Sequence, residues 1–322
     1  MLKRIANRLF ISFAFFMVFA VPVSAAQTLI PVGEVVGLEL RGEAVTVSAF
    51  DQSLPAGQAA GLKIGDEILT IDGHTIDSAA DIRHALNRSD GDVDVVVSRN
   101  GEETTLRIVP AVTPEGPRLG VYLRQGVTGI GTVTFYDPAT DAFGTLGHGV
   151  SDQNGNLLSM TDGNVYPAGV FAIDRGRAGK PGQLRGSLKN DQLLGTVSKN
   201  TAQGVFGKLH GEFDGQAIPV GGSECVTTGA AVIRSTVDDS GPRDYSVEIL
   251  KIYPETKADG RNLLLRVTDP ALLKATGGIV QGMSGSPIIQ NGKLVGAVTH
   301  VLVNEPTTGY GIFIENMLDA AS

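Results

Sequence analysis

Glycine constrains this chain more than any other residue: 42 of its 322 positions carry it, and a further 15 carry proline. Both interrupt regular structure, so the segments between them are short and the chain is rich in turns. The stretches 131–136, 230–237, 245–253, 262–267 and 294–303 are rich in β-formers, whereas helix signals are few and short. A mainly β protein follows, with a barrel or sandwich as its larger part.

The length suits about two domains. There is no Trp, and five of the 12 Phe fall within the first 19 residues, so the remaining cores must be aliphatic. With 42% hydrophobic and 19% charged residues, the chain is neither disordered nor membrane-embedded throughout. Its formal charge of −8 becomes −11 once Lys3, Arg4 and Arg8 are set aside, and such an acidic body argues against a nucleic-acid partner. The single cysteine, Cys225, excludes an intrachain disulfide and a Cys-based metal site. No metal and no cofactor is expected.

Residues 1–26 carry three basic residues, an apolar stretch from Leu9 to Val23, and then Ser24, Ala25 and Ala26. That is the pattern of a secretory signal. Its 15 apolar residues fall short of the ~20 that span a bilayer, although such cores also serve uncut as anchors. The rest of the chain is therefore expected to be exported across the cytoplasmic membrane, N-terminally anchored or released.

The run Pro55-Ala-Gly-Gln-Ala-Ala-Gly-Leu-Lys-Ile-Gly-Asp-Glu-Ile-Leu-Thr-Ile-Asp-Gly73 reads as turn, strand and second turn. Ser78 to Asp81 then opens a helix with a capping-box-like start, and Ile82, Ala85 and Leu86 form its apolar face. Asn100-Gly101 is the best short hairpin signal in the chain. Residues 31–112 resemble a PDZ domain of the bacterial type, an α+β, partly open β-barrel. The resemblance implies peptide capture by strand addition. Val36, Gly37, Leu38, Glu39 and Leu40 would form the loop whose backbone N–H groups hold a peptide carboxylate, and the next strand or the 78–88 helix would line the groove. Residues 113–118, with two prolines and a glycine, read as the linker to a second domain at 119–322.

Chemistry has few candidates in that second domain. Gly282-Met-Ser284-Gly-Ser-Pro287 puts a serine in a tight turn whose Gly282 and Ser284 N–H groups can point at one spot. Acyl transfer needs that arrangement, a nucleophilic oxygen beside donors for the tetrahedral oxyanion. The Gly-x-Ser-x-Gly elbow of α/β-hydrolases is not met, because Ser286 stands at its last position. A general base for Ser284 would come from His148, His210 or His300, and His148 sits between two glycines. A carboxylate to orient the base would be Asp269 or Asp152. Asp269 is followed by Pro270, which equally suits a helix N-cap with proline at the first helical position.

Taken together, "GIGTVTFYDP" at 129–138, "GTLGHGVSD" at 144–152, "VTDPALL" at 267–273, "TGGIVQGMSGSPIIQNGKLVGAVTHV" at 276–301 and "GYGIFIENML" at 309–318 resemble the stage IV sporulation protein B family of serine peptidases. The resemblance implies a chymotrypsin-like double β-barrel after the PDZ domain, with Ser284, His148 and Asp269 as the catalytic set. Thr299 and His300 would line the substrate cleft. The implied substrate lies on the outer side of a membrane, in the space between mother cell and forespore: a regulator of an intramembrane metalloprotease that processes a late sigma-factor precursor. Self-cleavage is implied as well, with a peptide ligand or the protein's own N-terminal region at the PDZ domain. A quality-control protease with a PDZ domain would have the opposite domain order. A non-catalytic PDZ adaptor would not need both Ser284 and His148.

Overall fold

The computed structural model describes residues 27–152, 154–254 and 260–322; the export segment expected at 1–26 lies outside them. Among the described residues no helix is long and apolar enough to cross a membrane.

Among the described residues there are three larger β-units and one two-stranded hairpin. In the first, six antiparallel strands close on themselves in the order Val35–Gly42, Val127–Asp137, Ala142–Thr145, Gly204–Leu209, Gly195–Thr201 and Met160–Asp174. The strand Gln183–Leu188 hangs from Met160–Asp174 as a hairpin arm. In the second, Gly229–Ser235, Arg243–Ile252, Leu263–Val267, Glu305–Phe313, Lys293–Leu302 and Pro287–Gln290 close a second barrel. The third is an open sheet in the order Val121–Arg124, Thr46–Phe50, Glu67–Ile71, Val93–Arg99 and Glu102–Ile108.

Local sequence explains many of these elements. Val93–Arg99 buries Val93, Val95 and Val97 and exposes Asp94, the alternation of a half-buried strand. Asn100 and Gly101 both have positive φ, 54° and 83°, and the type I′ geometry they adopt sets Arg99 opposite Glu102. Asn291 and Gly292 do the same between Gln290 and Lys293. Helix Ala79–Arg88 starts at Ser78, whose hydroxyl accepts from Asp81 N while the Asp81 carboxylate accepts from Ser78 Oγ and Asp77 N. Ile82, Ala85 and Leu86 face the core from it. Beneath the open sheet, Asp66 is 1% exposed and is braced by two Arg99 contacts of 2.7 Å and by Lys63 N.

Two expectations need correction. Val36, Gly37, Leu38, Glu39 and Leu40 are not a carboxylate-holding loop. They lie in a barrel strand that pairs with 127–132 on one edge and with 160–167 on the other. Val36, Leu38 and Leu40 point into the first barrel's core, so the ladder uses the backbone groups that a loop would have offered. The boundary at 113–118 also moves. Those residues belong to a hairpin, Ala111–Thr113 with Gly116–Arg118, and the open sheet claims Val121–Arg124 beyond it. The chain thus enters the first barrel at Val35–Gly42, builds the PDZ-type sheet, and returns to pair Val127–Thr132 with Leu40–Val35.

Candidate active site

A cleft of about 1000 Å³ opens between the two barrels, and Ile130, His148, Val280, Ser284 and His300 are among the residues on its walls. The first barrel contributes the histidine. Thr145 ends the strand Ala142–Thr145, and the chain then turns sharply through Leu146 and Gly147, with φ of 69° and 68°, to His148. A leucine in that left-handed region is a strained residue at the lip of the cleft. His148 Nδ1 lies 2.9 Å from the Gly149 carbonyl. A carbonyl can only accept, so Nδ1 carries the proton in the neutral ring and Nε2 is the bare nitrogen. Burial pulls the His148 pKa down, and the Gly149 carbonyl opposes that in part, which leaves the ring neutral at pH 7.

The second barrel contributes the serine turn, and every carbonyl in it has a donor. Gln281 O accepts from Leu184 N at 2.8 Å, Gly282 O from Thr132 Oγ1 at 2.7 Å, and Met283 O from Ser286 N at 3.0 Å. Ser284 O accepts from Thr132 N at 3.2 Å and Gly285 O from Thr134 Oγ1 at 2.7 Å. The N–H groups of Gln281, Met283, Gly285 and Ser286 also have acceptors. Those of Gly282 and Ser284 have none among the described residues. The turn therefore presents two unused donors, the pair its sequence suggested for an oxyanion. Gly282 and Gly285 hold φ of 95° and 94°, a region that a side chain would strain.

Ser284 Oγ donates to Thr299 O at 2.7 Å, and Thr299 Oγ1 to Gly260 O at 3.0 Å. His300 lies with its ring centroid 5.3 Å from that of His148. Thr299 and His300 both line the cleft, whereas His210 is exposed and outside its lining.

The two acids lie elsewhere. Asp269 caps helix Pro270–Thr276: Oδ1 accepts from Ala271 N and Leu272 N, and Oδ2 from Ser246 N. Neither a hydrogen bond nor an ion pair joins it to His148, so the structure does not bring the expected third member to the other two. Asp152 is no substitute, because its Oδ1 holds a turn through Asn154 N and Asn156 N.

Sequence reasoning missed three features. Thr132 was lost because its partner is 150 positions away. Gly149 acts through its carbonyl, which a glycine flanking a histidine does not disclose in sequence. The third is an open strand edge: Val121–Arg124 pairs with Thr46–Phe50 on one side only, and Gln125 Nε2 donates to Asp77 O beside the start of helix Ala79–Arg88. Gly120, just before a short alternating run, was the available signal.

Two closed six-stranded barrels with a serine turn and a histidine lining the cleft between them make the double-barrel layout that the resemblance implied, and with the family matches that follow they define a serine peptidase joined to a PDZ domain. The family model for the SpoIVB peptidase S55 matches residues 115–318, more than half the chain, and the protein belongs to that family. A PDZ domain model matches residues 34–109. None of the curated proteins matches. Among solved structures, the active form of the Rv3671c protease from M. tuberculosis is similar over 62% of this chain and 75% of that one, at 16% identity and a TM-score of 0.36.

Proposed function

We propose that this peptidase works outside the cytoplasmic membrane, cuts itself near its N-terminal region, and cuts a membrane-bound regulator that restrains an intramembrane metalloprotease. Release of that restraint activates intramembrane processing of a late sigma-factor precursor, with the peptidase itself in the space between mother cell and forespore membranes. The resemblance of 129–152 and 267–301 to the stage IV sporulation protein B family supports this pathway, and the signal-like 1–26 supports export. The observation that carries the chemistry is the pair of unused amides at Gly282 and Ser284, beside His148 in one cleft.

In the mechanism, Ser284 Oγ, which donates to Thr299 O in the structure, would turn its proton from that carbonyl to His148 Nε2 as Oγ attacks a peptide carbonyl, and the Gly282 and Ser284 amides would hold the oxyanion. His148 then protonates the leaving amine, and water releases the acyl group. Orienting the tautomer is the task usually given to an acid, and here the Gly149 carbonyl performs it. Asp269 is read as a helix cap. A peptide ligand of the PDZ domain would add to the free edge of Val121–Arg124, across from helix Ala79–Arg88.

The test expresses the full chain and its Ser284→Ala variant, labels both with a fluorophosphonate, and maps new N-termini by mass spectrometry. Wild type should label and shorten, and the variant should do neither. Equal behaviour of the two removes the peptidase reading of Ser284. In sporulating cells, a regulator cut equally by both forms removes the pathway.

A further inference from the structure

The geometry points to Thr132 as a positioning residue for the oxyanion site: its hydroxyl, from the first barrel, sets the Gly282 carbonyl and thereby the two amides on either side. The inference rests on the reading of Ser284 as the nucleophile and deepens it.

Gly282 has no side chain to restrict its torsions, so the peptide planes around it stay in place only if outside groups hold them. The 281–282 plane is held by Leu184 N on Gln281 O. The 282–283 plane lies between the two unused amides and has two holds. Met283 N donates to Val280 O at 3.1 Å within the turn, and Thr132 Oγ1 donates to Gly282 O at 2.7 Å from outside it. The hydroxyl must be the donor, because a carbonyl oxygen cannot donate. Without it, Gly282 turns more freely about its own bonds, and both amides lose their common aim.

Thr132 is fully buried and uses each of its polar atoms at this seam. Its N donates to Ser284 O at 3.2 Å. Its carbonyl accepts from Thr145 Oγ1 at 2.6 Å and Leu146 N at 3.3 Å, at the start of the turn that delivers His148. One residue therefore sets the serine turn of one barrel against the histidine arm of the other. A valine there would keep the shape and the backbone bonds and remove only the hydroxyl.

The experiment compares full-length wild type, Thr132→Val, Thr132→Ser and Thr236→Val. Thr236 supplies a matched control, since its buried hydroxyl also bridges the barrels, to Gly33 O at 2.9 Å, away from the cleft. The readouts are the second-order rate of fluorophosphonate labelling, its pH profile, and the melting temperature. Thr132→Val should label about 10- to 100-fold more slowly, a fraction of the 10²–10³ that a lost oxyanion donor costs. Its pH profile should keep the wild-type midpoint, because the histidine is untouched. Thr132→Ser should recover to within about threefold, and Thr236→Val should lose melting temperature but label like wild type.

Labelling of Thr132→Val at the wild-type rate, failure of serine to restore it, or an equal slowing in Thr236→Val would overturn the role. If Thr132→Val does not fold, Thr132→Cys, similar in size but a weak donor, stands in with the same expectation. A Ser284→Ala variant run alongside separates the two levels. If it labels like wild type, the nucleophile itself is misassigned and the role of Thr132 goes with it; if it is silent, the Thr132 variants decide alone.

Discussion

Replacing Asp269 separates a helix cap from a catalytic acid, because asparagine serves the first role and fails the second. In the structure Asp269 Oδ1 accepts from Ala271 N at 2.9 Å and from Leu272 N at 3.0 Å, and Pro270 occupies the first helical position. The helix it starts is one of the second barrel's attachments, with Leu272 fully buried in the core and Gly277 closing the end at φ 79°. Alanine removes the acceptor for both amides and should cost about 1–2 kcal/mol, near the upper range for lost caps. At about 2–4 °C per kcal/mol for a chain this large, the melting temperature should fall by roughly 2–8 °C. Asparagine keeps the acceptor oxygen for Ala271 N and Leu272 N and gives up only the long 3.4 Å contact with Ser246 N, so Asp269→Asn should lose less melting temperature than the alanine variant and keep its labelling rate within about threefold. In a Ser-His-Asp triad the same change costs about 10⁴ in kcat through the wrong tautomer. Labelling rate and melting temperature measured on both variants settle the matter. A well-folded Asp269→Asn protein with a loss of that order would falsify the assignment of tautomer control to Gly149.

Other outcomes follow from single sites. Burial holds the His148 pKa below 6.5, so the acid limb of the labelling rate should have its midpoint below pH 6.5. By the same shift the unfolded chain binds more protons between the two values, so this residue's contribution to stability is present above about pH 6.5 and fades as pH falls to the lowered value; a midpoint above 6.5 contradicts both statements. Burial pushes the Asp66 carboxyl up, but Arg99 and Lys63 N outweigh it and hold it below its ordinary 3.8. Its stabilisation is thus present above that pH and lost on further acidification, and Asp66→Asn should cost about 2–4 kcal/mol in denaturant melts of the PDZ region. A change under about 0.5 kcal/mol would show the pair to be dispensable. Gly285→Ala should abolish labelling, since a Cβ there would stand 2.0 Å from Thr132 O and 2.6 Å from Leu146 N. Gly292→Ala, also at positive φ but facing open space, should cost about 1 kcal/mol and label normally; equal damage at the two positions would mean that backbone strain, not the seam, sets the requirement at Gly285.

What the sequence made legible was local. Ser78 with Asp81, Asn100-Gly101 and Asn291-Gly292 each carry their structural instruction within four residues, and each element forms where those residues place it. The serine turn was legible for the same reason, as Gly282, Ser284 and Gly285 are contiguous. Val36–Leu40 was misread because its identity depends on distant strands at 127–132 and 160–167, and a short apolar alternation is equally at home in a loop edge or a barrel wall. Asp269-Pro270 was ambiguous on its face, and only the third dimension shows which amides the carboxylate serves.

The misread strand also changes how the two domains are connected. A PDZ domain joined by the expected 113–118 linker could reorient without disturbing the peptidase. Here it is an insertion between two barrel strands that pair with each other, Leu40 opposite Val127 through Val35 opposite Thr132. Only Gln125 and Gly126 separate its edge strand Val121–Arg124 from the outbound barrel strand, and Gln125 is itself tied to Asp77 O at 2.6 Å. On the inbound side, Glu43 N donates to Ser159 O at 3.1 Å and its carboxylate accepts from Ser159 Oγ at 2.8 Å, so that connection is also held to the barrel. A ligand shifts such a system only by binding one arrangement better than another. The strand that follows, Val127–Asp137, carries Thr132 and Thr134, whose hydroxyls reach the carbonyls of Gly282 and Gly285. The residues that the linear sequence assigned to a loop thus pair directly with the strand whose Thr132 and Thr134 hydroxyls reach the serine turn.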